Sequence, residues 1–267
     1  MNNVKDRIIP NKELSIYNKM FDEILLSECY RGSVAHNLYI PSEEENSTDD
    51  IDLIRVYCFP IQYYLTLESY KNKKDVYEKW EGEYDIVAYE LRKMFDLLSV
   101  GNPNVTSMLW IKEEHILQNS EAWRNIIKNR ELFISKDNIK HAFCGYANDQ
   151  IKRMTSFVKE GYMGEKRMNL VNKFGYDTKN AAHCIRLLKM GVEFLDTGIL
   201  NVFRDKDREE LLSIKIGEWS IEQVKNYSDK LFKELMSSYD KSKLPNKNNP
   251  IKINKLLFET MKISLNL

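Results

Sequence analysis

Asp50-Ile51-Asp52-Leu53-Ile54-Arg55-Val56-Tyr57, preceded across an acidic loop by Cys29-Tyr30-Arg31-Gly32-Ser33-Val34-Ala35-His36-Asn37-Leu38, is the stretch on which the reading of this chain turns. The residues from Ile51 onward suit a β-strand, whose side chains repeat with a period of two. On such a strand Asp50 and Asp52 leave from one face, close enough to share divalent ions. Gly32 and Ser33, about eighteen residues upstream, form a turn whose first residue has no Cβ and can approach a phosphate. Two carboxylates beside such a turn are read as a nucleotide and metal site.

Outward from this stretch, Leu14, Tyr17, Phe21, Ile24 and Leu25 fall at helical spacing and predict a helix over residues 11–27. A short strand over 28–31 then enters the Gly32-Ser33 turn, a helical turn covers 34–38, and 41–49 is a polar acidic loop. The Asp-x-Asp strand runs over 51–59. Residues 65–81 are polar and read as an exposed connection with some helix. Tyr84-Asp85-Ile86-Val87-Ala88-Tyr89-Glu90-Leu91 is the next strand, rich in aromatic and β-branched residues.

From Arg92 the periodicity becomes helical and stays so. Helices are predicted over 92–100, 104–110, 120–128, 137–160, 178–197, 207–216 and 220–238, with a last one from Asn249-Pro250 to about residue 265. Ser220 with Gln223 three residues on is a capping box, and Asn249-Pro250 is a cap followed by a first-turn proline. The outline is a mixed α/β unit to about residue 110 and an all-helical remainder.

Gly32, Ser33, Ala35, Leu38, Pro41, Asp50, Asp52, Val56 and Tyr57 together spell Gly-Ser-x-Ala…Leu-x-x-Pro…Asp-x-Asp-x-x-x-Val-Tyr. This pattern resembles the DNA polymerase β superfamily of nucleotidyltransferases. Within it, the chain is similar to the predicted nucleotidyltransferases associated with RNA repair in bacteria and large phages. A second block, Lys179-x-x-x-His183-x-x-Arg186-Leu187-Leu188 followed by Gly191, Phe194, Leu195 and Gly198, resembles the same family more than a hundred residues away. Two departures stand out. Arg55 replaces a glycine usual before Val-Tyr, and Val34 replaces a residue that is often basic.

The resemblance implies an α+β fold. Residues 1–110 would be a small mixed β-sheet nucleotidyltransferase domain binding metal and NTP, and residues 111–267 a helical domain facing the active-site cleft. It also implies two Mg²⁺ ions, for which Mn²⁺ can substitute, held by Asp50, Asp52 and a third acid from a neighbouring strand. Asp85 is the candidate for that third acid. Gly32 and Ser33 are assigned to the β- and γ-phosphates. Lys179, His183 and Arg186 fall at i, i+4 and i+7, one stripe of a helix suited to phosphate contact, and are assigned to nucleotide or acceptor binding.

The implied reaction moves an NMP from an NTP to a hydroxyl, on RNA such as a tRNA end, with release of pyrophosphate. Two other readings stay open: transfer to a protein or small molecule, and a catalytically silent nucleotide- or RNA-binding protein.

The remaining features bound these readings. At 267 residues, 43% hydrophobic and 30% charged, the chain reads as an ordinary globular protein expected in the cytoplasm, with no run suited to spanning a membrane. Its four cysteines are scattered without metal-ligand spacing and read as free thiols. The net charge is zero, which argues against an indiscriminate nucleic-acid coater. Residues 1–100 nevertheless carry 12 Lys and Arg against 19 Asp and Glu, and residues 101–267 carry 28 against 21. An acidic metal-holding half and a basic half suit the joining of a metal-bound nucleotide to a polyanion.

Overall fold

Five short segments pair into one sheet with the order β3-β4-β2-β1-β5. The computed structural model describes residues 23–41, 43–44, 47, 49–66, 75–155 and 165–267. β1 (Ile24–Tyr30) leads through the short helix α1 (Gly32–Ala35) to its antiparallel neighbour β2 (Ile51–Cys58). After α2 (Ile61–Leu65), β3 (Val76–Glu81) and β4 (Tyr84–Glu90) form an antiparallel hairpin. β4 then lies parallel to β2, with Asp52 opposite Asp85. β5 (Ile116–Asn119) closes the other edge against β1.

Helices follow: α3 (Leu91–Ser99), α4 (Pro103–Thr106), α5 (Glu121–Lys128), α6 (Lys136–Thr155), α7 (Glu165–Phe174), α8 (Thr178–Thr197), α9 (Arg208–Lys215), α10 (Ile221–Lys241) and α11 (Pro250–Leu265). The fold is therefore α+β, with a small mixed sheet and a large helical part. No described helix is long and apolar enough to cross a membrane.

Two main cores hold these elements. Leu26, Ile54, Val56 and Val87 on one face of the sheet pack against Leu91, Met94, Trp123 and Ile253 from α3, α5 and α11. The second core surrounds α8, whose Ile185, Leu188 and Phe194 are buried against α6 and α10. Gly191 sits where three helices crowd. A Cβ there would come within 2.8 Å of Leu235 Cδ1 and 3.1 Å of Phe143 Cβ. Ala35 and Leu38, from the turn after β1, are buried in this helical core and so tie the end of the sheet to α8.

Several sequence expectations meet the structure directly. α8 spans Thr178–Thr197 and α11 spans Pro250–Leu265, with Asn249 accepting hydrogen bonds from the amides of Ile251 and Lys252. The Ser220–Gln223 capping box is present at α10.

Others are corrected. Ile24–Ser27 belong to β1 rather than to a helix over 11–27, because cross-strand pairing with β2 overrides the local periodicity; residues 11–22 of that expectation lie outside the described residues. Residues 76–81, expected to be a connection, form edge strand β3; its charges, which suggested a loop, suit an exposed edge. β5 and α7 were not anticipated, and residues 107–110 tighten into a 3₁₀ turn instead of continuing a helix. The helix expected over 137–160 is described to Thr155, and the rest of it lies outside the described residues.

Candidate active site

The sheet topology delivers three functional segments to one end. β2 and β4 run parallel, so Asp52 and Asp85 near their starts come side by side; β1 runs the other way and brings Arg31 to the same end. Neighbouring strands lie about 4.8 Å apart, so register-paired residues on one face touch the same partners. Arg31 Nη2 is 3.3 Å from Asp52 Oδ1 and 3.1 Å from Asp85 Oδ2. Asp52 lies at the open end of the face that continues as Ile54 and Val56 into the core.

Gly32 makes this crowding possible. Its φ of +58° is in the left-handed region, and a Cβ at this position would fall 2.0 Å from Asp52 Oδ2. No other residue fits between the β1 turn and that carboxylate.

A cleft of about 630 Å³ opens in front of the acids. Asp50, Asp52 and Asp85 line it together with Lys179, His183 and Arg186 from α8. The i, i+4, i+7 stripe read from the sequence therefore lines the same cleft as the carboxylates. Asp50 stands exposed just ahead of β2, while Asp52 and Asp85 are half-buried. Among the described residues, no three acidic, histidine or cysteine side chains are gathered into a ready-made metal cage. Gly32 lines the cleft. Ser33 is buried beneath it, and its Oγ has no hydrogen-bond partner among the described residues.

The electrostatics follow from burial. Asp52 is pulled up to about 6, chiefly by desolvation; Arg31 and Lys179 oppose this, and the Asp85 and Asp50 carboxylates reinforce it. His183 is held well below its ordinary pKa by burial and by the charges of Arg186 and Lys179, so it is neutral at neutral pH. Burial and the nearby Arg204 lower Arg186 to about 9, leaving it cationic.

Three residues of this site escaped the sequence reading. Arg31 was passed over as the residue before the turn. Asp49, at the end of the polar acidic loop, has a buried side chain pinned from two helices. Lys215 of α9 bonds its Oδ2, and Lys179 Nζ lies 3.4 Å from its Oδ1. Lys215 also donates to the Leu38 carbonyl at 2.7 Å. A signal existed in α9, where Lys215 directly follows Ile214 on the face that buries Leu211. His36, four residues after Gly32, has as partners Val202 O at 2.8 Å and Arg186 Nη1 at 2.7 Å, both far away in sequence.

The two departures from the family pattern do not touch the cleft. Val34 is buried in a small core with Ile51, Leu53 and Ile86. Arg55 is three positions from Asp52, hence on the opposite face of β2, where it pairs with Glu28 across the strands.

The family model of the RNA repair pathway DNA polymerase beta family matches residues 11–259. The chain belongs to this family. None of the curated proteins compared matches it. Among solved structures, a nucleotidyltransferase-like protein from Exiguobacterium sibiricum is similar, with 10% identity over 94% of this chain and 77% of that one and a TM-score of 0.28.

Proposed function

We propose that this member of the family is a nucleotidyltransferase that moves an NMP from an NTP to a hydroxyl, with RNA as the acceptor and pyrophosphate as the leaving group. One observation carries the reading: Asp52 and Asp85 line the same cleft as Lys179, His183 and Arg186, although the two groups are about a hundred residues apart. A triphosphate needs both groups, carboxylates for its counter-ions and fixed cations for its oxygens.

The donor set suits Mg²⁺, with Mn²⁺ as a substitute. Asp50, Asp52 and Asp85 offer hard carboxylate oxygens, and Mg²⁺ requires few protein ligands because it keeps waters and phosphate oxygens. The only cation this chain supplies to both Asp52 and Asp85 among the described residues is Arg31. When bound, the two ions supply activation of the attacking hydroxyl and charge neutralisation of the leaving group.

The chain's own residues do the rest. Asp50 and Asp52 hold the triphosphate side, and Asp85 holds the acceptor side and takes the hydroxyl proton. Gly32 lets the backbone of the turn approach the β- and γ-phosphates, and Ser33 joins it in binding them. Lys179 and Arg186 bind phosphate oxygens, and neutral His183 donates or accepts a hydrogen bond without adding charge. In this division residues 1–110 supply the acids and residues 111–267 the cations. Arg153 and Tyr146 of α6, also on the cleft, suit an RNA acceptor through charge and stacking.

The test supplies each α-labelled NTP with Mg²⁺ and cellular RNA to wild type and to Asp50→Asn. Label entering RNA with wild type alone supports the reading and identifies the base. Label entering protein or a small molecule instead replaces the acceptor, and label entering nothing removes the assignment.

A further inference from the structure

Two buried arginines near the cleft are treated in opposite ways. Arg204, 4% exposed, is bracketed by Glu193 and Asp207, with contacts of 2.7 and 2.6 Å. Arg186, 7% exposed, has no carboxylate within ion-pair distance among the described residues. Its Nη1 lies 2.7 Å from His36 Nε2 and 3.2 Å from Met190 Sδ, and its Nε has no hydrogen-bond partner among the described residues. A buried guanidinium without a counter-ion is costly unless an anion arrives.

A guanidinium only donates hydrogen bonds, so His36 Nε2 must accept from Arg186. The ring proton is then on Nδ1, where it donates to Val202 O at 2.8 Å. His36 is itself fixed, because its carbonyl accepts from the amide of Arg204 at 3.2 Å and the next carbonyl, that of Asn37, accepts from Arg208 Nε at 3.0 Å. It sits at the end of the same turn that carries Gly32.

We infer that His36 is the positioning residue of the phosphate site: as a neutral acceptor it aims Arg186 into the cleft and leaves the guanidinium charge available to a polyphosphate. An acidic residue in its place would hold Arg186 equally well and cancel that charge. The inference rests on the triphosphate placement proposed above and adds that the residue orienting Arg186 must be uncharged.

The test compares the full-length wild type with His36→Gln, which keeps a neutral acceptor, and His36→Glu, which supplies a carboxylate. Calorimetry with inorganic tripolyphosphate in Mg²⁺ buffer is read beside thermal melting. A short RNA oligonucleotide lacking a 5′-triphosphate serves as a second ligand. His36→Gln is expected to keep tripolyphosphate affinity within about threefold. His36→Glu is expected to lose at least tenfold, about 1.4 kcal/mol or more, with a melting temperature no lower than that of His36→Gln. In transfer assays its KM for NTP rises more than its kcat falls.

Equal tripolyphosphate affinity in His36→Glu and wild type would overturn the inference alone. So would equal losses in the two variants, which would mark a purely structural role. A loss confined to the RNA oligonucleotide would also overturn it, by moving Arg186 to the acceptor. A wild type that binds no tripolyphosphate would overturn both this inference and the triphosphate placement.

Discussion

Asp52 and Asp85 are register partners on two parallel strands, and one guanidinium nitrogen, Arg31 Nη2, lies within 3.3 Å of both. Under the proposed reading, Arg31 stands where the divalent cations would bind. Replacing it leaves two carboxylates facing each other and makes the fold more dependent on a divalent ion. The rise in melting temperature on adding Mg²⁺ is therefore expected to be several degrees larger in Arg31→Met than in wild type. Differential scanning fluorimetry checks this, and an equal or smaller rise counts against the carboxylate pair as a cation site.

Gly32→Ala tests the closeness of the turn to the acids. The new methyl would strike Asp52 Oδ2 while forcing a side chain into a positive φ. The backbone term alone is about 1 kcal/mol, and the collision adds to it. Lower stability together with weaker Mn²⁺ binding is the expected outcome. A variant with native melting and native Mn²⁺ affinity would show that the approach is looser than described.

The buried contact of Asp49 with Lys215 joins the Asp-x-Asp loop to α9. Burial lowers the Lys215 pKa, and the Asp49 carboxylate partly restores it. Lys215→Met leaves Asp49 short of its most buried partner and is expected to cost about 3 kcal/mol. Adding Asp49→Asn should recover part of that loss, because the stranded charge is then gone. Urea unfolding of the four proteins in the double-mutant cycle reads the coupling. Simple additivity would mean the pair does not hold the loop.

Acid sensitivity follows from the histidines. Unfolded, His36 and His183 each take up a proton near 6.5; folded, they do so only well below, chiefly because of burial and then because of Arg186. The unfolded chain therefore binds more protons as the pH falls below 6.5, and stability falls with it, by up to about 1.4 kcal/mol per pH unit for each imidazole. Asp52 acts in the opposite sense, since between its ordinary pKa and about 6 the folded state holds the extra proton. Comparing His36→Gln with wild type isolates one term. The variant should show a shallower loss of stability between pH 6 and 5. Parallel curves would mean that His36 takes up its proton as readily in the folded as in the unfolded chain.

What the sequence disclosed was governed by local rules. α8, α11 and the Ser220 capping box could be read because apolar spacing, caps and a first-turn proline act within a few residues. The Asp-x-Asp strand and the lysine, histidine and arginine stripe were equally visible, and the fold turned them toward one cleft. β3 and β5 were hidden because polar edge strands look like loops until a neighbour supplies the pairing. Arg31, His36, Asp49 and Lys215 were hidden for a related reason. Each acquires its role from a partner brought near by the tertiary fold, and nothing in its own neighbourhood in sequence announces that partner.

The reaction class is the central claim, and parallel assays with α-labelled and γ-labelled NTP test it most directly. Wild type should place the α label on the acceptor and release the γ label as pyrophosphate, while Asp52→Asn, with its fold intact, does neither. Transfer of the γ label to the acceptor with release of a nucleoside diphosphate, or α-label transfer undiminished in Asp52→Asn, would contradict the account.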